Sequence, residues 1–210
     1  MSLLLHPGYF LNIANFIAIA NNKVCWEVND NYQKQTFRNR TYIAADIGKH
    51  MLNIPIKHIG KSSGKQLYKD VKVENDYAWQ RQHWRTLETA YRTSAFFEFY
   101  EDELISLFEK KHTFLLDLNL ETTSLICDFL QVDMPQEKTS TFQKNPNDIL
   151  DGRLLVSSKS KIDFKQEEYF QVFNDRNGFI ENCSILDLLF NEGTNALTYL
   201  QNHTLKLNNA

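Results

Sequence analysis

Leu3-Leu4-Leu5-His6-Pro7-Gly8-Tyr9-Phe10 opens the chain with a short apolar run cut off by a proline and a glycine. The run reads as a buried strand and the break as a turn, because the residue before a proline avoids the helical region and a Pro-Gly pair punctuates. Downstream, Phe10, Ile13, Phe16, Ile17 and Ala20 recur at helical intervals, Asn21-Asn22 stops the pattern, and Lys23-Val24-Cys25-Trp26-Glu27-Val28 reads as a second short strand. Strand, helix and strand in so short a span predict a parallel pair joined by a right-handed crossover. The loop from His6 to Phe10 then lies at the carboxyl end of the sheet, where such sheets bind ligands.

Beyond this unit, Asp30 to Ile43 is polar at first and then alternates, with Phe37, Asn39, Thr41 and Ile43 on one side and Arg38, Arg40 and Tyr42 on the other. Met51-Leu52-Asn53-Ile54-Pro55-Ile56 reads as a further strand, edged or ended by Pro55. Gly60-Lys61-Ser62-Ser63-Gly64-Lys65 lacks the spacing of a true phosphate loop and is read as an exposed loop. A helical middle follows. Its first helix starts at a capping-type Asn75-Asp76 and aligns Tyr77, Trp84, Leu87 and Tyr91, its second runs from Phe96-Phe97 through Leu104, Leu107 and Phe108, and its third spans Leu115 to Leu130. Residues 133–148 read as a surface loop and Leu154-Leu155-Val156 as another short strand. The tail regains order at Phe170 to Phe173, Ile185 to Phe190 and a closing helix through Leu197 and Leu200. The expectation is a single α/β or α+β domain over residues 1–210: an N-terminal strand-helix-strand sheet, a helical middle and a short α/β C-terminal tail.

Composition excludes several classes. With 210 residues, 42% hydrophobic and 13% aromatic, and only 7 Gly and 4 Pro, the chain is neither disordered nor collagen-like. A formal charge of −3, from 23 Lys+Arg against 26 Asp+Glu, lacks the basic excess of a phosphate-backbone binder, so no nucleic-acid partner is expected. The longest apolar stretch, Phe10 to Ala20, contains Asn12 and Asn15 and falls short of the roughly 20 residues that cross a bilayer, so no membrane span is expected. Met1 to Pro7 lacks the basic region of a secretory signal, which predicts a cytoplasmic chain starting there. Cys25, Cys127 and Cys183 are too widely spaced for a disulfide framework or zinc site and read as reduced, buried thiols. Cys183, in Glu-Asn-Cys-Ser, carries the alternative of a loop nucleophile. There is no H-E-x-x-H, no G-x-S-x-G and no paired-carboxylate spacing, and neither metal nor cofactor is expected.

Several phrases, taken in order, resemble the WbqC-like protein family: His6-Pro7-Gly8-Tyr9-Phe10, Lys34-Gln35-Thr36-Phe37-Arg38-Asn39-Arg40, Leu52-Asn53-Ile54-Pro55-Ile56, Trp79-Gln80-Arg81-Gln82-His83-Trp84 with Tyr91, Phe97-Glu98-Phe99-Tyr100 and Leu116-Asp117-Leu118-Asn119. The tail, from Tyr169-Phe170-Gln171-Val172-Phe173 through Ser184 to Gly193, is similar to the end of the family's Bacteroidetes-type branch, so the likeness covers roughly residues 3–202. Family members are associated with O-antigen and other surface-polysaccharide loci, and the resemblance therefore implies a pathway rather than a reaction. The family typically opens with Gln-Pro where this chain has His6-Pro7, which counts against a uniquely catalytic role for that side chain and leaves it as a pocket-lining group.

Residue chemistry and resemblance together nominate a site. Lys34, Arg38 and Arg40 cluster around Asn39 and form either an anion cradle, since arginine presents a planar fork to oxyanions, or a solvated edge strand; the resemblance centres on Asn39-Arg40. His83, beside the aromatic seam, is either a proton-transfer group or a packing residue. Trp84, with Trp79, either stacks on a sugar ring or belongs to the core. Asp187, in the apolar run Ile185 to Phe190, is a helix cap or a site acid. The reading is a transferase-type enzyme acting on an activated sugar, such as a nucleotide sugar, or a related anionic metabolite in surface-glycan assembly. In it Lys34, Asn39, Arg40, His6, Tyr9 and Trp84 bind and His83 and Asp187 catalyse. The rival is a non-catalytic adaptor that binds protein partners of glycan assembly through its aromatic surface.

Overall fold

The computed structural model describes residues 2–57, 65–160, 162 and 164–207. The fold is α/β, and it grows from the strand-helix-strand unit. β1 (Leu3–Leu5) and β2 (Val24–Trp26) pair in parallel with Leu3 opposite Val24, and α1 (Ile13–Asn21) connects them. All three leucines of β1 are buried, as befits a strand covered on both faces, which reads as a continuous apolar run rather than an alternation. Asn12 starts α1 by accepting the Asn15 backbone N–H on its Oδ1 at 3.1 Å.

Two short parallel strands complete the sheet. β5 (Glu137–Lys138) adds to β2, and β6 (Leu150–Asp151) adds to the other side of β1, giving the order β5-β2-β1-β6. The chain thus moves outward from β1 through β2 to β5 and returns to lie on β1's far side as β6. An antiparallel hairpin, β3 (Arg40–Ala45) and β4 (Gly48–Asn53), forms separately, with Asp46 and Ile47 in its turn. The helical middle consists of α2 (Trp79–Tyr91), α3 (Phe97–Glu109) and α4 (Leu115–Leu130). After it come α5 (Asn174–Asn177), α6 (Ile185–Glu192) and α7 (Ala196–Asn202). Among the described residues no helix is long and apolar enough to cross a membrane.

Several local expectations change. The strand around Asn39 begins only at Arg40, because Thr36 to Asn39 forms a turn in which the Asn39 N–H reaches the Thr36 carbonyl at 3.4 Å. The β4 strand covers Gly48–Asn53, ahead of the expected Met51 to Ile56. α2 starts at Trp79, not at Asn75-Asp76: the Asn75 amide donates to the His112 carbonyl at 2.8 Å, and Tyr77 lies outside the helix, exposed. The largely exposed stretch 133–148 carries β5, and Leu154-Leu155-Val156 belongs to a 3-10 turn (Arg153–Val156), the strand being Leu150–Asp151 just before it. The glycine-lysine loop at 60–65 falls, except for Lys65, outside the described residues.

The turn after β1 is fixed by close backbone approach. The Tyr9 N–H donates to the Phe37 carbonyl at 2.8 Å, and the Tyr68 hydroxyl donates to the Pro7 carbonyl at 2.9 Å. A Cβ placed on Gly8 would meet the Phe37 carbonyl oxygen at 2.8 Å as well as the Leu11 side chain. Backbone cannot give way as a side-chain tip can. Gly8→Ala is therefore expected to destabilise the chain by about 1–3 kcal/mol, read as a lower midpoint in urea unfolding with an unchanged slope.

Candidate functional site

Residues of the segment from Asp30 to Arg40 line two hollows. The first, of about 510 Å³, is bordered by Tyr32, Lys34, Asn39, Arg40, Asn53, Glu74 and Tyr77 among others. The second, of about 230 Å³, is bordered by His6, Asp30, Arg38, Lys144, Asp151 and Arg153 among others.

In the first hollow, Asn39 anchors the wall: its amide donates to the Asn53 Oδ1 at 3.0 Å and to the Ile54 carbonyl at 3.1 Å. Its own Oδ1, and the Arg40 Nε, are buried with no hydrogen-bond partner among the described residues. Glu74 is the carboxylate of this wall, and it lies 3.9 Å from the Lys57 ammonium. Burial pushes the Tyr32 hydroxyl up to about 12 against the pull of Arg40 and Arg38, so it stays a neutral donor. Asp30, Tyr32, Asn53, Glu74 and Tyr77 carried no signal in the sequence as site residues, since nothing in spacing brings residues of a turn, a strand end and a loop together.

The second hollow opens at the carboxyl ends of β1 and β6. His6 Nδ1 faces the Glu27 carbonyl at 3.2 Å and Nε2 faces the Asp30 Oδ2 at 3.3 Å. Burial, helped by the charge of Arg38, outweighs the attraction of Asp30 and brings the imidazole down to about 4. Arg38 donates from Nη2 to the same Asp30 oxygen at 3.2 Å.

The other nominated residues lie elsewhere. Tyr9 and His83 are packed against each other, the Tyr9 hydroxyl 2.9 Å from the His83 Nδ1, with Trp79 edge-on to both rings. His83 is 5% exposed, and burial brings it down to about 4 against the opposing pull of the nearby Asn53 backbone. It stands near Asn53, a residue of the first hollow's wall, without itself lining that hollow. Trp84, half-buried, packs on Phe97 and Phe108 with ring centroids 5.9 and 5.6 Å away. Asp187 is fully buried: its Oδ1 accepts from the Tyr91 hydroxyl at 2.6 Å, and its Oδ2 accepts from Gln171 at 2.7 Å and from the Tyr169 hydroxyl. Burial raises its carboxyl above the usual range even so. Tyr9, His83, Trp84 and Asp187 therefore line neither hollow, whereas Lys34, Asn39 and Arg40 line the first and His6 the second. The three cysteines are free thiols, and burial holds the Cys183 thiol well above its ordinary range, against its use as a thiolate nucleophile. Among the described residues no group of three or more His, Cys, Asp and Glu is arranged to hold a metal ion.

Comparison with known proteins gives one family and one relative of note. The family model described as "WbqC-like protein family" matches residues 6–161. Over 225 aligned positions, which cover 92% of each chain, the sequence is 25% identical to "Uncharacterized protein Rv1507c" of Mycobacterium tuberculosis (strain ATCC 25618 / H37Rv). Neither finding supports the Bacteroidetes-type branch expected from the tail. No solved structure matches the chain.

Two predictions follow from the buried polar groups. Asp187→Ala leaves the Tyr91 and Tyr169 hydroxyls without their acceptor, while the Gln171 amide keeps the Ile180 carbonyl, and should cost about 3 kcal/mol in urea unfolding at neutral pH. His6 and His83 both sit at about 4 when folded, below the 6.5 of a free histidine, so the unfolded chain takes up their protons first. Their stability contribution is whole above pH 6.5 and is lost as pH falls toward 4, by about 3 kcal/mol for each ring. His83→Gln should accordingly lose roughly half as much stability as the wild type across that window, measured by unfolding at stepped pH.

Proposed function

Because this chain belongs to the WbqC-like protein family, we propose that it is a transferase-type enzyme of surface-polysaccharide assembly, working in the cytoplasm on an activated sugar or a related anionic metabolite held in the first hollow. The observation that carries the reading is that Lys34 and Arg40 border one cavity with Asn39, the Arg40 Nε being buried and without a partner. A phosphate or carboxylate there would complete the guanidinium's hydrogen bonds, and charge-assisted bonds of this kind are the strong ones. Tyr77, 65% exposed at the rim, offers a ring face to a sugar. Glu74 is the group we assign to take the proton of an attacking hydroxyl or amine, since it borders the cavity. In this reading His83 is a positioning residue, held by the Tyr9 hydroxyl beside Asn53 of the cavity wall. The Bacteroidetes-type branch belongs to the proposal alone, resting on phrases from Tyr169 to Gly193 beyond the matched residues.

The adaptor alternative calls for a broad apolar face in place of a polar-lined cleft, and the polar wall of the first hollow favours an enzyme over it. Thermal melting of the full chain across a panel of nucleotide sugars and acyl donors tests the assignment. At least one compound should raise the wild-type midpoint, and Arg40→Ala should weaken that ligand roughly tenfold or more. If no compound stabilises the wild type selectively over Arg40→Ala, the reading fails.

A further inference from the structure

The second hollow holds a buried cation with donors to spare. Arg38 is 0% exposed, yet of its donor atoms only Nη2 has a partner, the Asp30 Oδ2. Nε and Nη1 are buried without a hydrogen-bond partner among the described residues. The Tyr68 ring covers the guanidinium at 5.3 Å from its centroid and supplies no acceptor to those edges. Asp30 is already engaged: the oxygen it offers Arg38 also faces His6 Nε2, and its Oδ1 accepts the Asn31 N–H at 2.6 Å. A guanidinium so placed is short of acceptors, and a buried charged donor left unmatched is strongly unfavourable.

The surroundings supply charge of the right sign. Arg38, Lys144 and Arg153 face Asp30 and Asp151 around the same cavity, three cations against two carboxylates. Arg153 is spent on its neighbours, donating from Nε to Asp151 at 2.8 Å and from Nη1 to the Gln143 carbonyl at 2.9 Å, so it neutralises Asp151 and holds the loop that carries Lys144. The cavity also lies at the carboxyl ends of β1 and β6, the end at which open parallel sheets bind ligands.

We infer that this second hollow binds an oxyanion, the phosphate or carboxylate group of a small ligand, on the Nε and Nη1 donors of Arg38, with Lys144 as the second cation. The volume of about 230 Å³ takes an anionic head and few further atoms, so the remainder of the ligand extends outward. The site does not depend on the first hollow and uses none of Lys34, Asn39 or Arg40.

The test titrates inorganic phosphate and, separately, succinate into the full-length chain at constant ionic strength, followed by thermal melting and by the arginine Nε–H resonances of ¹⁵N-labelled protein. Either anion should raise the midpoint and shift one buried arginine resonance, which Arg38→Lys removes, and the two arms decide between phosphate and carboxylate. Arg38→Met should weaken the anion roughly tenfold to a hundredfold, Lys144→Ala severalfold, and Arg40→Ala not at all. Should Arg38→Met fail to fold, Lys144→Ala, on an exposed side chain, and the wild-type resonance still decide. The inference is overturned if neither anion changes the midpoint or the buried resonance. It is equally overturned if Lys144→Ala and Arg38→Met respond like the wild type while Arg40→Ala does not, since the anion then sits in the first hollow.

Discussion

Burial of the Arg38 guanidinium is the constraint that the surroundings of both hollows answer to. A planar charge with no exposed surface calls for acceptors, an opposite charge and an aromatic face; the charge and the face come from different parts of the chain, while Nε and Nη1 find no acceptor among the described residues. Asp30 supplies the charge, the Tyr68 ring the face, and α4 clamps the backbone, the Asn119 amide donating to the Arg38 carbonyl at 2.6 Å. Asn119 also donates to the Tyr68 hydroxyl, which in turn holds the Pro7 carbonyl. The turn leaving β1, the loop before β3, the 3-10 turn at Tyr68–Asp70 and α4 are thus tied through Tyr68, on whose ring the guanidinium rests.

That tie explains why residues of one short segment serve two cavities. From Asp30 to Arg40 the backbone is held by bridges at Asn31 and Thr36 but forms no continuous strand, so side chains follow the local turns instead of a strict alternation. Gln33 and Arg38 go to the hollow at the sheet edge, while Lys34, Asn39 and Arg40 go to the larger one. The Tyr9–His83–Trp79 cluster packs against the same turn from its other side. It ties α2 to the turn through the Tyr9–His83 bond, beside the Asn53 that Asn39 bonds, so its aromatic mass backs the cavity without entering it.

Legibility in the sequence followed periodicity. Leu3 to Leu5, the spacing from Ile13 to Ala20, and the Leu-rich run 115–130 each encode their element locally, and all three stand where the pattern puts them. The two-residue strands β5 and β6 have no period to detect, being strands only because β2 and β1 offer edges to pair with, and they decide the sheet order. Arg38 is illegible for the opposite reason. The alternation from Phe37 to Ile43 sets it on one side with Arg40 and Tyr42, but β3 starts at Arg40, and the preceding turn leaves Arg38 fully buried. Asp187 shows the reverse limit: the apolar run betrays a buried carboxylate, while its three partners, on α2 and in the tail, are visible only once the chain is folded.

The chemistry at His6 also bears on how the site is held together. Both ring nitrogens face acceptors, the Glu27 carbonyl and the Asp30 carboxylate, whereas a neutral imidazole carries one proton and serves only one of them. Burial and the nearby guanidinium keep the ring neutral, so its role is to hold one acceptor at a time rather than to titrate near pH 7. A glutamine amide, the group that the resemblance implies for this position elsewhere, offers two N–H donors on one nitrogen and can reach an acceptor just as well without titrating at all. The two side chains are therefore exchangeable as braces and not as bases. What this position supplies is a donor that steadies Asp30 against Arg38, at the mouth of the sheet edge where the chain leaves its central strand.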